Sequence, residues 1–215
     1  MQKILYNKMM HTKQVIIKGK LLSDASKALI LLHGRGGSAD DILSLANYLQ
    51  VNDFTLLAPQ ATNNTWYPYS FMMPQEANEP WLSSALEVVN NIFDDIIKAG
   101  IAPENIYLAG FSQGACLTLE FAARNAQKLG GVIAFSGGLI GREINSNNYQ
   151  KDFQQTPIFI GCSDVDPHIP LKRVHESKAI LQEMNAAVTA KIYPGMGHSV
   201  NEDEIKFVND NILSK

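Results

Sequence analysis

The segment Ile106-Tyr-Leu-Ala-Gly-Phe-Ser-Gln-Gly114 restricts the possible folds of this chain more than any other stretch, because one tight turn joins a strand-like run to a helix-forming run. Its centre, Gly110-Phe-Ser-Gln-Gly114, fits the G-x-S-x-G pattern of a nucleophile elbow. In such an elbow the serine lies on a sharp turn, where its hydroxyl stands clear of its own backbone. Side chains at Gly110 and Gly114 would collide with the neighbouring strand and helix, so both positions require glycine.

The residues on either side of this turn favour the elbow over an ordinary strand-to-helix turn with a capping serine. Residues 106–108 are strand-like, whereas residues 115–123 are apolar and helix-forming. A helix that starts at Ser112 would direct free backbone N–H groups, including that of Gln113, at an oxyanion formed beside the serine. The segment therefore predicts a nucleophilic serine at the end of a buried strand.

The length and composition predict one domain that spans residues 1–215. A net charge of -3 and the lack of a basic cluster argue against nucleic-acid binding. No apolar run approaches the ~20 residues of a membrane span, and the N-terminus lacks the features of a secretion signal. We therefore expect a cytoplasmic protein.

The two cysteines and the five histidines predict no metal site. Cys116 falls within the helix that follows Ser112, and Cys162 ends a predicted strand. We expect both to be buried free thiols rather than a disulfide. No Cys and His residues have the spacing of metal ligands, so no metal is expected.

Apolar strands alternate with amphipathic helices along the chain, which predicts an α/β fold with a mostly parallel central sheet and helices on both faces. The predicted strands are residues 4–6, 14–18, 28–32, 54–58, 106–109, 132–135, 158–160 and 189–193, the first two forming a hairpin-like edge. The predicted helices run from residue 40 to about 50, from 82 to 97, from the elbow to 125, from 171 to 184 and from 202 to 213. Residues 59–80 form a long aromatic-rich loop.

Four segments follow predicted strands and are expected to meet, because ligands of such sheets bind beyond the carboxyl ends of the strands. They are residues 33–37, 111–113, 164–170 and 195–199. The first, His33-Gly-Arg-Gly-Gly37, fits no phosphate-binding loop pattern and is predicted to complete an oxyanion hole, the Arg35 N–H joining the Gln113 N–H. His33 is interpreted as a structural hydrogen-bonding residue, and an alternative has the Arg35 side chain bind an anionic substrate group.

A serine nucleophile needs an imidazole to take its proton and a carboxylate to orient that imidazole. In α/β-hydrolases the acid and then the histidine follow the serine along the chain. His198 lies in a glycine-rich turn after the last strand and is the predicted base. His175 is expected on a helix surface, and His168 is a candidate pocket residue.

Two aspartates, Asp164 and Asp166, are candidates for the acid. Both follow a predicted strand and precede His198, so residue order does not separate them. Asp164 is also of a type that often forms a turn by bonding its own backbone.

Four motifs occur in one order along the chain: Leu32-His-Gly-Arg-Gly36, Gly110-Phe-Ser-Gln-Gly-Ala115, Asp166-Pro-His-Ile-Pro170 and Gly197-His198. Together they resemble the phospholipase/carboxylesterase family of α/β-hydrolases, which includes the acyl-protein thioesterases. The resemblance implies an α/β-hydrolase fold, Ser112 as nucleophile, His198 as base and Asp166, the aspartate before proline, as acid. It also implies a carboxylesterase, lysophospholipase or thioesterase activity on small or medium acyl esters, without a cofactor.

The chain departs from this family at His168, where the family usually has an aliphatic residue. Thr65-Trp-Tyr-Pro-Tyr-Ser-Phe71 with Asn78-Glu-Pro-Trp81 resembles a bacterial branch, so protein deacylation is not carried over. No sizeable insert follows residues 132–135, which predicts that no large lid domain is present and that residues 60–80 shape the pocket.

Four residues are the candidates for substrate binding: Trp66, Tyr67, Phe71 and His168. The three aromatic residues would form an acyl or leaving-group site, or else cover the sheet, since aromatic residues are common in both settings. The expected partner is a small-molecule ester, and the expected state a monomer or homodimer. Two rivals remain, a lactone or dienelactone hydrolase and a non-catalytic binding protein of the same fold.

Overall fold

The structure, a computed structural model, describes residues 10–214. Within that range one sheet has the strand order β1-β3-β2-β4-β5-β6-β7. Its strands are β1 (Val15–Gly19), β2 (Lys27–Leu32), β3 (Phe54–Pro59), β4 (Ile106–Phe111), β5 (Gly131–Phe135), β6 (Pro157–Ser163) and β7 (Ala187–Tyr193). Only β1 is antiparallel to its neighbour, so the prediction of a mostly parallel sheet is confirmed. The strand predicted at residues 4–6 lies outside the described residues.

Helices cover both faces of the sheet, as predicted. They are α1 (Ala39–Leu45), α2 (Trp81–Lys98), α3 (Gln113–Arg124), α4 (Leu171–Glu183) and α5 (Glu202–Val208), the last continuing as a π-helical turn, Asn209–Leu213. Strand β2 shows the two-sided burial, because its side chains alternate between faces. Ala28, Ile30 and Leu32 pack in the core beneath α2, α3 and α4, whereas Leu29 and Leu31 pack in the core beneath α1 and α5.

Helix α1 is shorter than predicted, ending at Leu45 rather than near residue 50, and a short 3-10 turn, Ala46–Tyr48, follows it. The cause is a contact with the far end of the chain. The Asn209 side chain accepts a hydrogen bond from the Gln50 N–H at 2.8 Å and donates to the Tyr48 carbonyl at 2.9 Å. These bonds satisfy backbone groups that would otherwise favour a continued helix.

Strand β6 is longer than predicted, because Gly161, Cys162 and Ser163 extend it. Glycine weakens a strand signal in the sequence. Here all three residues pair with β7 on one side, and Gly161 also pairs with β5 on the other.

In the elbow between β4 and α3, backbone segments lie very close together at two glycines. A Cβ atom on Gly110 would lie 2.5 Å from the Gly114 carbonyl, and a Cβ atom on Gly114 would lie 2.0 Å from the Leu32 carbonyl oxygen. Both distances are shorter than any real Cβ contact, so only glycine fits. Ser112 itself has φ of 56° and ψ of -119°, and its N–H donates to the Phe135 carbonyl at 2.9 Å. This strained residue is therefore held by the neighbouring strand.

The connections place no large insert near the elbow. Residues 136–156, which join β5 to β6, contain one 3-10 turn, Ser146–Asn148. Across residues 10–214, none of the helices combines the length and the apolar character needed to cross a bilayer.

Candidate active site

Ser112, His198 and Asp166 form a continuous chain of hydrogen bonds at the carboxyl edge of the sheet. The Ser112 Oγ lies 2.8 Å from the His198 Nε2, and the His198 Nδ1 lies 2.7 Å from the Asp166 Oδ2. A carboxylate only accepts hydrogen bonds, so the Nδ1 atom carries the hydrogen and Nε2 is left to accept from the serine hydroxyl. The structure thus brings together the three residues that the sequence pointed to.

The loop after β7 is anchored to the end of β6, and this contact determines where His198 lies. The Ser163 hydroxyl accepts from the Gly197 N–H at 3.1 Å, and the Asp164 Oδ1 accepts from the Gly195 N–H at 2.8 Å. Asp164 therefore holds the loop that carries His198, while Asp166 contacts the imidazole itself. The structure separates the two aspartates that residue order left equivalent.

The Asp166 carboxylate is oriented from both sides. Its side chain is fully buried, and its Oδ1 accepts from the N–H groups of His168 at 2.8 Å and Ile169 at 3.0 Å. Burial by itself raises the pKa of Asp166, but the hydrogen bonds from His198 and from the two backbone N–H groups outweigh it and hold that pKa below its usual value. The group is therefore ionised at neutral pH, which is the state needed to stabilise a positive imidazolium.

A cavity of about 570 Å³ opens beside Ser112. The residues that line it come from five segments: Gly34, Arg35, Tyr67, Pro68, Tyr69, Ser70, Phe71, Phe111, Ser112, Gln113, Cys116, His168, Ile169 and His198. Three of the four candidates for substrate binding, Tyr67, Phe71 and His168, are among them. The His168 ring is exposed and lies edge-on to His198, with 4.8 Å between the ring centroids.

Trp66 does not line this cavity. Its side chain has no exposed surface, its indole N–H donates to the His33 carbonyl at 2.9 Å, and its ring packs against the rings of His11 and His33. Of the two alternatives for the aromatic residues, Trp66 fits the one that covers the sheet, whereas Tyr67 and Phe71 lie between core and cavity.

The two candidate oxyanion-hole residues line the same cavity as the serine. Gln113 begins α3, so its N–H lies at the positive end of the helix dipole, and Arg35 lies in the loop that follows β2. The Arg35 guanidinium donates to oxygens of residues 65–69, so we do not assign it to a substrate anion. The His33 ring is buried and engaged at both nitrogens, with Gly34 O at 2.8 Å and the Ala61 N–H at 3.1 Å, which is typical of a structural histidine.

Both cysteines are free and buried, as predicted. Burial raises the pKa of the Cys116 thiol to about 12, so this residue at the edge of the cavity is a neutral side chain rather than a second nucleophile. Among residues 10–214, no group of three or more His, Cys, Asp or Glu side chains is arranged to hold a metal ion.

Two residues of the site went unassigned in the sequence. The Phe111 ring packs against His198, with 4.9 Å between the ring centroids. Its place directly before Ser112 in the elbow pattern was the sequence feature that could have pointed to it. Asn78 is fully buried, accepting from the Tyr69 N–H at 2.9 Å and donating to the Ser70 carbonyl at 3.1 Å. A polar residue inside an aromatic-rich loop carried no comparable signal, because its partners are backbone groups.

Known proteins and one family model resemble this chain along most of its length. A model of the phospholipase/carboxylesterase family matches residues 11–214. The chain is 54% identical to a phospholipase/carboxylesterase from Dyadobacter fermentans, whose crystal structure is similar with a TM-score of 0.94 over 95% of this chain and 98% of that chain. An acyl-protein thioesterase 1 from Kluyveromyces lactis is 32% identical over 85% of this chain and 89% of that protein. A probable carboxylesterase from Arabidopsis thaliana is 30% identical over 86% of this chain and 78% of that protein.

Proposed function

Because the chain belongs to the phospholipase/carboxylesterase family and is an ester-hydrolysing enzyme, we propose that it is a serine carboxylic-ester hydrolase that uses Ser112, His198 and Asp166. The observation that carries this proposal is the unbroken hydrogen-bond chain from the serine hydroxyl through the imidazole to the buried carboxylate. Such a chain lets the imidazole take the serine proton during attack.

The reaction proceeds through an acyl-enzyme. The Ser112 oxygen attacks the ester carbonyl while its proton passes to the His198 Nε2, and the backbone N–H groups of Gln113 and Arg35 stabilise the oxyanion. His198 then gives the proton to the departing alcohol, which leaves the acyl group on the serine. A water molecule activated by His198 attacks this second ester and releases the acid. Asp166 stabilises the imidazolium in both steps.

The cavity supports small or medium acyl esters as the substrate class. Its volume of about 570 Å³ fits the size range of small-molecule sites, and aromatic rings form much of its lining. Tyr67 and Phe71 therefore contact the acyl or alcohol group, and the exposed His168 ring lies at the opening beside His198. Some relatives are named as thioesterases and others as carboxylesterases, so thioesters and oxygen esters are the two substrate classes to compare.

The test is intact-mass spectrometry after exposure to a fluorophosphonate, alongside hydrolysis of nitrophenyl esters and acyl thioesters of increasing acyl length. We expect one label on the wild type and none on Ser112→Ala, which should keep its fold and lose turnover, because the label and the substrate need the same activated hydroxyl. Ser199→Ala, which removes an exposed serine beside His198, should be labelled like the wild type. Folded wild-type protein that is neither labelled nor active would refute the mechanism and favour a non-catalytic binding protein.

A further inference from the structure

The Arg35 guanidinium is bound to a run of consecutive backbone oxygens on one side of the cavity. It donates to the carbonyls of Tyr67 at 2.9 Å, Pro68 at 2.9 Å and Tyr69 at 2.8 Å. It also donates to the Thr65 hydroxyl at 3.0 Å. Residues 67–71 all line the cavity and are here called the pocket wall. One side chain therefore binds three of the five residues of the wall.

The Gln113 side chain binds the first residue of the pocket wall and the residue before it. Its Oε1 accepts from the Trp66 N–H at 2.9 Å, and its Nε2 donates to the Tyr67 carbonyl at 2.8 Å. Since Gln113 is almost fully buried, these bonds are shielded from water. The Tyr67 carbonyl is thus shared by Arg35 and Gln113, the two residues whose backbone N–H groups are proposed to form the oxyanion hole.

The far end of the pocket wall is fixed by other groups. Asn78 holds Tyr69 and Ser70, and the Phe71 carbonyl accepts from the Gly141 N–H at 2.7 Å. Among residues 10–214, the side chains that link the near end of the wall to the two candidate oxyanion-hole residues are those of Arg35 and Gln113 themselves, together with the Thr65 hydroxyl that both of them contact.

We propose that the Arg35 and Gln113 side chains are positioning residues that hold the pocket wall at a fixed distance from the oxyanion hole, and thereby determine which acyl groups the enzyme accepts. This inference rests on the proposed function. Each residue acts twice: its backbone N–H faces the reacting carbonyl oxygen, and its side chain places the aromatic surface that the acyl group contacts. The wall and the oxyanion hole therefore keep one relative position, which preorganises the site for acyl groups that reach the wall.

An arginine is needed at position 35 because of the shape of its side chain. A guanidinium is planar and presents five N–H donors in a fork, so it serves several carbonyls at once. A lysine ammonium at position 35 is a point charge with three donors and cannot reproduce these four contacts. We therefore expect Arg35→Lys to keep only part of the acyl selectivity that Arg35→Met loses.

The first test measures kcat and KM of Arg35→Met, Arg35→Lys and the control Arg142→Met on nitrophenyl acetate, hexanoate and benzoate. Arg142 is an exposed arginine outside the cavity, so its variant should match the wild type. In Arg35→Met we expect kcat/KM to fall about tenfold further for hexanoate and benzoate than for acetate, mostly through KM, because several hydrogen bonds to the wall are lost. We expect the acetyl group to gain least from the wall, because it has only one carbon beyond the carbonyl.

The second test is a double-mutant cycle with Gln113→Met. The cycle asks whether the two side chains act on one element, as their shared bond to the Tyr67 carbonyl requires. We expect the loss of acyl selectivity in the double variant to be smaller than the product of the two single losses. Independent, multiplicative losses would overturn the shared role.

Fluorophosphonate labelling of Ser112 in every variant separates this inference from the proposed function. If wild-type protein is not labelled, the proposed function fails. If the variants are labelled and active but keep the wild-type ratio of hexanoate to acetate kcat/KM, the positioning role is overturned. An equal loss on all three esters accompanied by a lower melting temperature would also overturn it, because that pattern indicates a purely structural contribution. Should Arg35→Met fail to fold, Arg35→Lys and Gln113→Met carry the same comparison.

Discussion

At the scale of single residues, Asp166 shows how one carboxylate is given two distinct oxygens. Its Oδ1 accepts two backbone N–H groups from the loop that follows it, and these two donors fix the plane of the carboxylate. Its Oδ2 is therefore the oxygen that receives the His198 Nδ1–H. The orientation of the imidazole depends on this asymmetry.

The same asymmetry predicts the effect of Asp166→Asn. The amide oxygen should stay on the two backbone N–H groups, which turns the NH₂ group toward the His198 Nδ1 and forces the hydrogen onto Nε2. That tautomer cannot accept the serine proton, so we expect kcat to fall roughly 10³- to 10⁴-fold with little change in KM. The measurement is steady-state hydrolysis of a nitrophenyl ester.

Asp164→Asn is the matched control for this prediction. Its amide oxygen can still accept from the Gly195 N–H, so the loop that carries His198 should keep its position. A loss in Asp164→Asn as large as that in Asp166→Asn would mean that the acid has been assigned to the wrong aspartate.

At the scale of elements, helix α5 begins directly after the loop that carries His198 and has an unusual first turn. Asn201 and Glu204 form a capping box, in which the Glu204 Oε2 accepts from the Asn201 N–H at 2.8 Å. The Oε1 atom is buried without a hydrogen-bond partner among the described residues, against Gly161 of β6, where a Cβ would lie 1.8 Å from it. Burial raises the pKa of Glu204 to about 7, an effect that its bond to Asn201 and the nearby Lys191 only partly offset.

This raised pKa predicts a dependence of stability on pH. In the unfolded chain the carboxyl ionises near 4.5, whereas in the folded protein it keeps its proton up to about 7, so the free energy of unfolding should fall as the pH rises between those values and then level off. Glu204→Gln has no charge to bury. From pH 5 to pH 8 we expect the free energy of unfolding of the wild type to fall by about 1–3 kcal/mol more than that of this variant. The measurement is urea titration at the two pH values.

Glu202→Gln provides the control on the same helix turn, because Glu202 is exposed. The change in its free energy of unfolding between pH 5 and pH 8 should equal that of the wild type. If Glu204→Gln shows the wild-type change as well, Glu204 is already ionised in the folded protein at pH 5.

At the scale of the whole molecule, the site is assembled from the ends of β2, β4, β6 and β7. Ser112 and His198 are 86 residues apart in sequence, yet their side chains are in hydrogen-bond contact. No short stretch of the chain contains the site, because parallel strands bring distant segments to one edge. The buried Trp66 belongs to the same assembly, being bonded to His33 and Gln113.

Loss of activity and loss of tertiary structure should therefore coincide. We expect esterase activity and tryptophan emission to fall at the same urea concentration, with far-ultraviolet circular dichroism as the control for secondary structure. Loss of activity at clearly lower urea, with emission unchanged, would contradict this and would mean that the site loops loosen before the sheet opens.

The sequence by itself was sufficient wherever the determining interactions are local. Hydrophobic periodicity placed the helices and most strands, and the elbow pattern predicted a serine on a sharp turn between a strand and a helix, because Gly110 and Gly114 are needed only where backbones meet so closely. Residue order then led to His198, and the family motifs to Asp166.

The tertiary structure alone decided what depends on residues far apart in the chain. It showed that Asp164 holds the loop that carries His198, placed Trp66 in the core, and ended α1 early through Asn209. It also showed that the Arg35 and Gln113 side chains bind the pocket wall. Such contacts leave no pattern in sequence, because their partners are backbone carbonyls and N–H groups, which every residue other than proline carries alike and only the fold brings within reach.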